Sequence, residues 1–311
     1  MADQTTAERQ AAITHSIVEQ LEAGTPPWVR PWSNRPSDIA INSATKRPYS
    51  GANVLNLWMA QVANGFATPE WMSFKQANEK TKNQKGLGVR KGEHGTQIFF
   101  VSAIKRDEPN KSGKLVSRTI PFLKSYTVFN VAQIDGLPES TIPFVPHDER
   151  FAAVEHFISL VNAGVMHAEN QPRYDEGKDL IFLPRPETFK APEFYYSWSL
   201  HEHIKWTGHH NRLGRDFDKK WEGQADAFEE LVCELGAAFL LAEYGLPGQV
   251  NHAEYMSQWI DVLGRDVKAI WSAGAFATKA ITYLKQQAGL VPLPGVLSLD
   301  PAEDALDAVG V

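Results

Sequence analysis

Apolar residues recur at helical spacing along most of the chain, with polar residues between them. In residues 7–23 the apolar positions lie mostly three or four residues apart, and Gly24 followed by two prolines closes the segment. This spacing predicts an amphipathic helix. The same criterion predicts seven further helices, at residues 52–64, 70–82, 149–163, 193–206, 222–244, 252–263 and 266–286.

Three shorter runs have the composition of strands. Residues 98–101, 126–129 and 180–183 are rich in β-branched, aromatic and other apolar side chains, which favour the extended conformation. The charged residues 105–118, with a glycine and two serines, predict a flexible loop between the first two strands. The pattern predicts an α+β protein, with a small α+β domain first and a mostly helical domain after it.

The chain divides at a proline-containing segment. Residues 137–148 hold three prolines and no periodic pattern, so they predict a linker. We therefore expect a first domain at residues 1–136 and a second at residues 149–290. Residues 291–311 are acidic and contain proline and glycine, which predicts a loosely packed tail.

Composition excludes several classes of protein. No stretch reaches the roughly 18 consecutive apolar residues that a membrane helix requires, so we expect no membrane partner. The first residues are polar and have no apolar signal core. Cys233 is the one cysteine of the chain, which excludes a disulfide framework and a cysteine-ligated zinc cluster. A cytoplasmic protein is expected.

Charge is distributed unevenly along the chain. Residues 1–140 hold 17 basic and 12 acidic residues, whereas residues 141–311 hold 14 basic and 25 acidic ones. The basic excess is concentrated in residues 28–124, with 16 basic and 6 acidic residues. A basic module joined to an acidic one is expected when only the first touches an anionic partner, although surface lysines also produce such a skew by chance.

The basic part also contains the aromatic residues that binding of single-stranded nucleic acid requires. Such binding combines cationic contacts to phosphates with aromatic faces on which bases stack. Arg90 and Lys91 lie among glycines, whose backbone amides can approach a phosphate closely. Trp58 lies in an apolar helical run and is assigned to the core, whereas Trp28 and Trp32 fit either role. The candidate nucleic-acid contacts are Lys46, Arg47, Trp71, Lys75, Arg90, Lys91 and Tyr126.

One predicted helix carries the beginning of a metal-binding motif. It contains His201 and Glu202, and the zincin pattern is H-E-x-x-H. Residues four apart share a helix face, so two histidines at that spacing bind one Zn²⁺, and the glutamate acts as general base on the metal-bound water. Here Lys205 stands at the second ligand position, and His203 points to a different face. His201 is the candidate metal ligand and Glu202 the candidate catalytic residue.

A further metal ligand must come from outside this helix. In metzincins a histidine follows three residues after a glycine at the position of Gly208, but Asn211 stands there in this chain. A later predicted helix offers Glu229, Glu230 and Glu234 on an otherwise apolar segment, where unpaired carboxylates are costly. A metal or another cationic partner offsets that cost, and Glu229 is the preferred ligand. The alternative is a chance fragment of the motif, with no metal bound.

Motifs in both halves of the chain occur in the order of one known family. Those of the first half include Pro27-Trp28, Tyr49-Ser50-Gly51, Phe74-Lys75-Gln76-Ala77, Val89-Arg90-Lys91-Gly92-Glu93 and Tyr126-Thr127-Val128-Phe129-Asn130. Those of the second half include Trp206-Thr207-Gly208-His209, Phe228-Glu229-Glu230-Leu231-Val232 and Glu234-Leu235-Gly236-Ala237-Ala238-Phe239. Over about residues 10–285 the chain resembles the ArdC-type antirestriction proteins carried by conjugative plasmids and other mobile elements.

The resemblance implies a fold and a function. It implies a single-stranded-DNA-binding domain followed by a zincin-like metallopeptidase domain with zinc or another divalent metal, in a protein that protects incoming plasmid DNA from host restriction. The family helix normally has histidine where this chain has Lys205. Burial lowers the pKa of a lysine, so Lys205 could be neutral and coordinate a metal weakly. A protonated Lys205 would instead occupy the space of the cation and pair with Glu229 or Glu230, which leaves a site inactive towards peptides.

Three functions are compatible with these features. The first is an antirestriction protein that binds single-stranded DNA and carries an accessory or degenerate zincin domain. The second is an active metallopeptidase that is recruited by DNA, supported by Glu202 and Glu229. The third is an interaction protein whose acidic half imitates DNA and binds a host restriction enzyme. We favour the first, because both halves carry the family motifs and the first half is basic and aromatic.

Overall fold

Helices and small sheets alternate along the chain. The structure, a computed structural model, describes residues 5–29, 38–109, 115–137, 145–168, 170–248 and 255–291. Its helices are α1 (Thr6–Glu22), α2 (Ala52–Ala63), α3 (Phe74–Lys80), α4 (His147–Val161), α5 (Pro192–Trp206), α6 (Ala225–Glu243), α7 (Met256–Arg265) and α8 (Ala269–Gln287). Its strands are β1 (Ile41–Asn42), β2 (Glu70–Ser73), β3 (Gly88–Val89), β4 (Thr96–Pro109), β5 (Leu115–Asn130), β6 (Ile134–Asp135), β7 (Val165–His167), β8 (Arg173–Asp175) and β9 (Leu180–Leu183). The predicted α+β class is confirmed, with a mostly helical second half.

Each of the eight predicted helices is present, but the one predicted at residues 70–82 begins later. Its first four residues form β2 instead. Ser73 then caps α3, because its hydroxyl accepts a hydrogen bond from the Gln76 N–H at 3.2 Å and its own N–H donates to Gln76 Oε1 at 2.9 Å. This reciprocal capping box is a strong helix start, so it places Phe74 at the first position of the helix.

A long β-hairpin replaces most of the loop predicted at residues 105–118. β4 pairs antiparallel with β5 along its whole length. Valine, isoleucine and threonine on both strands favour extended pairing. The charged residues of β4 are poor strand formers, but they pair with residues 116–119 of β5, which include Val116 and Thr119. The loop prediction is therefore wrong for residues 105–109 and 115–118, and residues 110–114 lie outside the described part of the chain.

Three sheets are present among the described residues. The first has the order β1-β2-β5-β4, with β1 parallel to β2 and the other neighbours antiparallel. β3 and β6 form a two-stranded sheet, and β7-β9-β8 form the sheet beside α5. This last sheet has β8 at one edge, next to the helix that carries the metal motif.

Helices α5 and α6 approach each other closely at Gly236. A Cβ atom at this position would lie 2.8 Å from the side chain of Ile204 on α5. Because glycine has no side chain, the two helices can pack with short separation along this stretch. The glutamates of α6 are thereby brought within reach of the metal motif on α5.

One hydrophobic core extends through both predicted domains. The ring of Trp28 packs edge-to-face against Trp259 of α7 with centroids 5.7 Å apart. Trp58 of α2 packs in the same manner against Phe239 of α6, at 5.8 Å. The core assignment of Trp58 is confirmed and Trp28 takes its core role, since both are fully buried, while Trp32 lies outside the described residues.

The predicted domain boundaries stay predictions. α4 begins at His147, inside the predicted linker at residues 137–148, and residues 138–144 of that linker lie outside the described part. The same holds for the predicted tail beyond residue 291. No helix within the described ranges is long and apolar enough to cross a membrane.

Candidate functional site

The candidate metal centre lies where α5 and α6 pack together. His201 and Lys205 are one turn apart on α5, so both side chains reach the same part of α6. Glu230 and Glu234 are likewise one turn apart on α6 and reach back towards α5. His201, Glu230 and Glu234 are buried, and the Lys205 side chain is 32% exposed at the edge of the cluster.

Glu230 links the two basic side chains of α5. Its Oε2 accepts a hydrogen bond from Nε2 of His201 at 3.0 Å, and its Oε1 accepts one from the ammonium group of Lys205. The other ring nitrogen of His201, Nδ1, lies 3.7 Å from Oε2 of Glu234. The imidazole is therefore held between two carboxylates, one of which it shares with a lysine.

The charges of this cluster stabilise one another. Burial alone would lower the pKa of His201, but the carboxylates of Glu230 and Glu234 raise it to about 10. Burial would also lower the pKa of Lys205, but the Glu230 carboxylate raises it above its usual value. Against the effect of burial, His201 and Lys205 hold the pKa of Glu230 well below its usual range. Two cations thus face buried carboxylates at neutral pH.

Glu202, the candidate catalytic residue, is buried beside this cluster. Its Oε2 has no hydrogen-bond partner among the residues that the structure describes. Burial raises the pKa of Glu202, which favours the neutral carboxyl, whereas a general base must be ionised. Glu202 lines a cleft of about 340 Å³ together with Lys205, Glu230 and the aromatic walls Trp198 and Tyr255.

Glu229, the preferred metal ligand from the sequence, faces away from His201. Both of its oxygens are bound by Arg215, with Nη2 2.5 Å from Oε1 and Nε 3.0 Å from Oε2. Successive helix residues point about 100° apart, so when Glu230 faces α5 its neighbour must face elsewhere. The expectation that Glu229 is the carboxylate beside His201 is therefore corrected to Glu230, and the pairing of Lys205 with Glu230 follows the second of the two alternatives.

The side chains present do not fit a divalent ion at this position. A catalytic zincin centre uses three protein ligands and keeps a further position for water or substrate. Here His201 and Glu230 offer donors, but the third position holds the ammonium of Lys205. A protonated amine has no lone pair to donate, and it repels a second cation. His203 does not substitute, because it lies two residues after His201 and therefore points about 200° away around α5.

A second group of possible metal ligands lies at a neighbouring cleft. One ligand atom each of Glu176, His209 and His210 lie within 4.8 Å of one another. Glu176 and His209 line a cleft of about 430 Å³, which Lys205 also lines. The sequence indicated the two histidines after α5, but Glu176 precedes them by more than 30 residues on the β8–β9 turn, so the sequence held no signal that it joins them.

Three predicted nucleic-acid contacts are exposed around α3. Lys75 lies in the first turn of α3, and Lys46 and Arg47 lie on the turn after β1. The Lys80 ammonium donates to the Ser43 carbonyl at 3.2 Å, which holds that turn against the end of α3. Two further exposed lysines, Lys82 and Lys85, follow α3. We call this group of exposed cationic residues the basic face; it consists of Lys46, Arg47, Lys75, Lys80, Lys82 and Lys85.

The structure contradicts one predicted contact and restricts another. Trp71 is fully buried on β2, an interior strand of its sheet, and its ring packs edge-to-face against Phe66 at 5.7 Å. No base can stack on it, so that prediction is wrong. Arg90 is exposed, but its guanidinium is already paired with Glu93 at 2.8 Å and Asp135 at 3.2 Å.

The remaining aromatic candidates differ in exposure. Tyr126 is half-buried on β5, beneath the ammonium of Lys124 at 5.0 Å from the ring centroid. Phe74, which was outside the predicted contacts, is 55% exposed and packs edge-to-face against Phe129 at 6.3 Å. Its exposure depends on the helix start at Ser73, which the apolar pattern placed too early. Lys91 is exposed beside Arg90.

Two protein-family models match the two halves of the chain. Residues 7–129 match the N-terminal domain of the anti-restriction factor ArdC, and residues 152–276 match a zincin-like metallopeptidase. The metal-free crystal structure of the antirestriction protein ArdC from plasmid R388 is 32% identical and superposes with a TM-score of 0.75, covering 91% of this chain and 99% of that one. Its Mn(II)-bound structure superposes with a TM-score of 0.71.

Two relatives of known sequence are also similar. An uncharacterised protein, y4eC, of Sinorhizobium fredii is 30% identical over 91% of this chain and 94% of its own length. A DNA primase TraC of Escherichia coli is 36% identical over 86% of this chain, which spans only 26% of that protein.

Proposed function

Because this chain belongs to the ArdC family of antirestriction proteins, we propose that it binds single-stranded DNA without sequence preference and protects incoming plasmid DNA from host restriction. This activity belongs in the cytoplasm, where DNA that enters by conjugation first meets restriction enzymes. The observation that carries the proposal is the exposed ring of Phe74 at the edge of the basic face.

The basic face supplies both components of single-strand binding. Its lysines and arginine are exposed, so they can approach phosphates, and Phe74 offers a ring on which a base can stack. Lys46 keeps most of its side chain exposed although it pairs with the buried Glu70. Neither component reads base identity, so the proposed binding tolerates any sequence.

Binding to a labelled single-stranded oligonucleotide is expected to weaken steeply with salt, because each neutralised phosphate releases counterions. The double variant Lys75→Ala/Lys80→Ala should reduce the slope of log K against log salt by roughly 1.4, at about 0.7 per lost phosphate contact on a single strand. The matched control is Lys190→Ala/Lys219→Ala, which removes two exposed lysines from the second half and should keep the slope. Fluorescence anisotropy across a salt series measures both, and absent or salt-independent binding of the unaltered chain contradicts the proposal.

The Phe74→Ala variant is expected to bind single-stranded DNA about 5- to 150-fold more weakly, because one stacked base contributes roughly 1–3 kcal/mol. Phe74→Tyr keeps the aromatic face and should bind as the unaltered chain does. The ring is exposed, so thermal unfolding of both variants should stay close to that of the unaltered chain. Equal affinity of the alanine and tyrosine variants at constant salt would show that no base stacks there.

A peptidase function receives no support from the α5–α6 cluster, since its residues do not fit the metal that such a reaction uses.

A host restriction enzyme is the second candidate partner. Direct binding to it is favoured by the exposed acidic residues Asp216, Asp218 and Asp226 around the 430 Å³ cleft. That function predicts a complex with the enzyme in the absence of DNA, detectable by size-exclusion chromatography. Antirestriction through DNA binding predicts none.

A further inference from the structure

We infer that Lys205 takes the place of the metal in the zincin-like domain, so that an ammonium group closes the His201–Glu230–Glu234 cluster and the centre binds no divalent ion. This inference goes beyond the proposed DNA-binding function and is independent of it.

The position of Lys205 provides the first argument. In the H-E-x-x-H arrangement the second histidine, one turn after the first, adds a ring nitrogen to the ion. Lysine at the same position has a longer side chain, and its Nζ extends to the carboxylate of Glu230 on the facing helix. The cationic group therefore lies on an oxygen that a metal at His201 would need as a ligand.

The pairing of donors and acceptors provides the second argument. Glu230 accepts from His201 with one oxygen and from Lys205 with the other, so an ion bound to Nε2 of His201 would have to break the His201–Glu230 hydrogen bond. The other ring nitrogen of His201, Nδ1, lies 3.7 Å from Oε2 of Glu234.

Lys205 also lines both neighbouring clefts, so its side chain has room to leave the cluster. If it swung out, Nε2 of His201 and Glu230 would be left as two ligands, one fewer than a zincin centre uses, because Glu234 faces the opposite ring nitrogen, Nδ1. A single replacement, Lys205→His, supplies a ring nitrogen as the third ligand and leaves every other residue of the cluster as it is. The variant therefore isolates the effect of the lysine.

The test measures metal binding by the full-length chain and its Lys205→His variant after treatment with a chelator. Titration with Zn²⁺ and with Mn²⁺ by calorimetry gives the affinity, and the visible absorption of added Co²⁺ reports a tetrahedral centre. We expect the variant to bind one ion at least about 100-fold more tightly than the unaltered chain, because it gains a direct ligand. Adding Glu230→Gln to the variant should abolish that gain.

Ions at the Glu176–His209–His210 group must be separated from ions at the α5–α6 cluster. Both proteins are therefore also measured with His209→Ala and His210→Ala introduced, and only binding that survives these changes is assigned to the cluster. Circular dichroism confirms that each variant is folded. Oligonucleotide binding measured in parallel reports the proposed DNA function independently.

Two results would overturn the inference. In the first, the unaltered chain binds one equivalent of metal, and its Glu230→Gln variant does not. This result would not depend on any variant at position 205. The other is a folded Lys205→His variant that gains no metal, because the lysine is then not what excludes the ion. Metal uptake by the variant alone, dependent on Glu230, is the result that supports it.

Discussion

Replacing Trp259 with alanine is expected to lower the free energy of unfolding by about 3–5 kcal/mol and to destabilise both halves of the chain together. Trp259 is fully buried on α7. Its indole N–H donates to the Ala227 carbonyl at 3.1 Å, and its ring meets Trp28 edge-to-face. Truncation therefore leaves a large cavity and removes one buried hydrogen bond at a junction between the halves.

The shared core is the reason to expect a single transition. Trp58 of α2 packs on Phe239 of α6, and Phe99 of β4 packs on Trp271 of α8 at 5.2 Å. Helix α8 also meets the start of α2 so closely that a Cβ at Gly274 would lie 2.6 Å from the backbone nitrogen of Ala52. Neither half can lose these contacts without exposing the core of the other.

Unfolding in urea, a denaturant that carries no charge and so does not screen DNA binding, measures this effect by circular dichroism and by loss of oligonucleotide binding. Both signals should shift to lower denaturant by the same amount and stay coincident. The control is Val62→Ala, an exposed apolar residue on α2, which should change stability by less than about 0.5 kcal/mol. Two separate transitions, with only one displaced in Trp259→Ala, would show that the halves fold independently.

Replacing Arg215 with methionine is expected to lower the free energy of unfolding by about 3 kcal/mol. The Arg215 side chain is 2% exposed, and its guanidinium binds Glu229, the Thr207 hydroxyl at 2.6 Å and the Ile204 carbonyl at 2.8 Å. Removing one partner of a buried pair costs about 3–5 kcal/mol because the other charge stays buried. The lower end applies here, since Glu229 is 19% exposed and water can screen part of its charge.

A double-mutant cycle tests the origin of this loss. The variant Arg215→Met/Glu229→Met removes the whole pair and should be more stable than Arg215→Met alone, since no unpaired carboxylate remains. The control is Lys220→Ala, which breaks the exposed pair with Asp266 and should cost less than about 1 kcal/mol. If the double variant loses as much as the sum of the two single variants, Arg215 and Glu229 are not coupled.

The sequence predicted which segments form the candidate site, but it did not predict which single residue of each segment faces it. The segment around Glu229 was identified because carboxylates on an apolar helix need partners, and the helix is where it was expected. The choice between Glu229 and Glu230 depends on how α6 is rotated about its axis. Burial on both sides of α6 left its apolar pattern without a clear outer face, so no periodicity indicated that rotation.

The nucleic-acid contacts show a similar limit. Lys46, Arg47 and Lys75, which were predicted as contacts, are exposed, because lysine and arginine are almost never fully buried without a partner. Trp71 and Phe74 are three residues apart, and composition does not distinguish a buried ring from an exposed one. The fold determines which ring is exposed. Trp71 is buried because β2 is an interior strand of its sheet, and Phe74 points outwards because the cap at Ser73 starts α3 there.

The sequence by itself determined the α+β class, the presence of the eight helices, the family motifs and the departure at Lys205, because each of these depends on residue identity and spacing within one segment. Only the tertiary structure decided that Lys205 pairs with Glu230, that Glu229 belongs to Arg215, and that both halves share one core. Each of these is a contact between segments distant in sequence. Such contacts depend on the rotation and separation of packed elements, which local patterns do not specify.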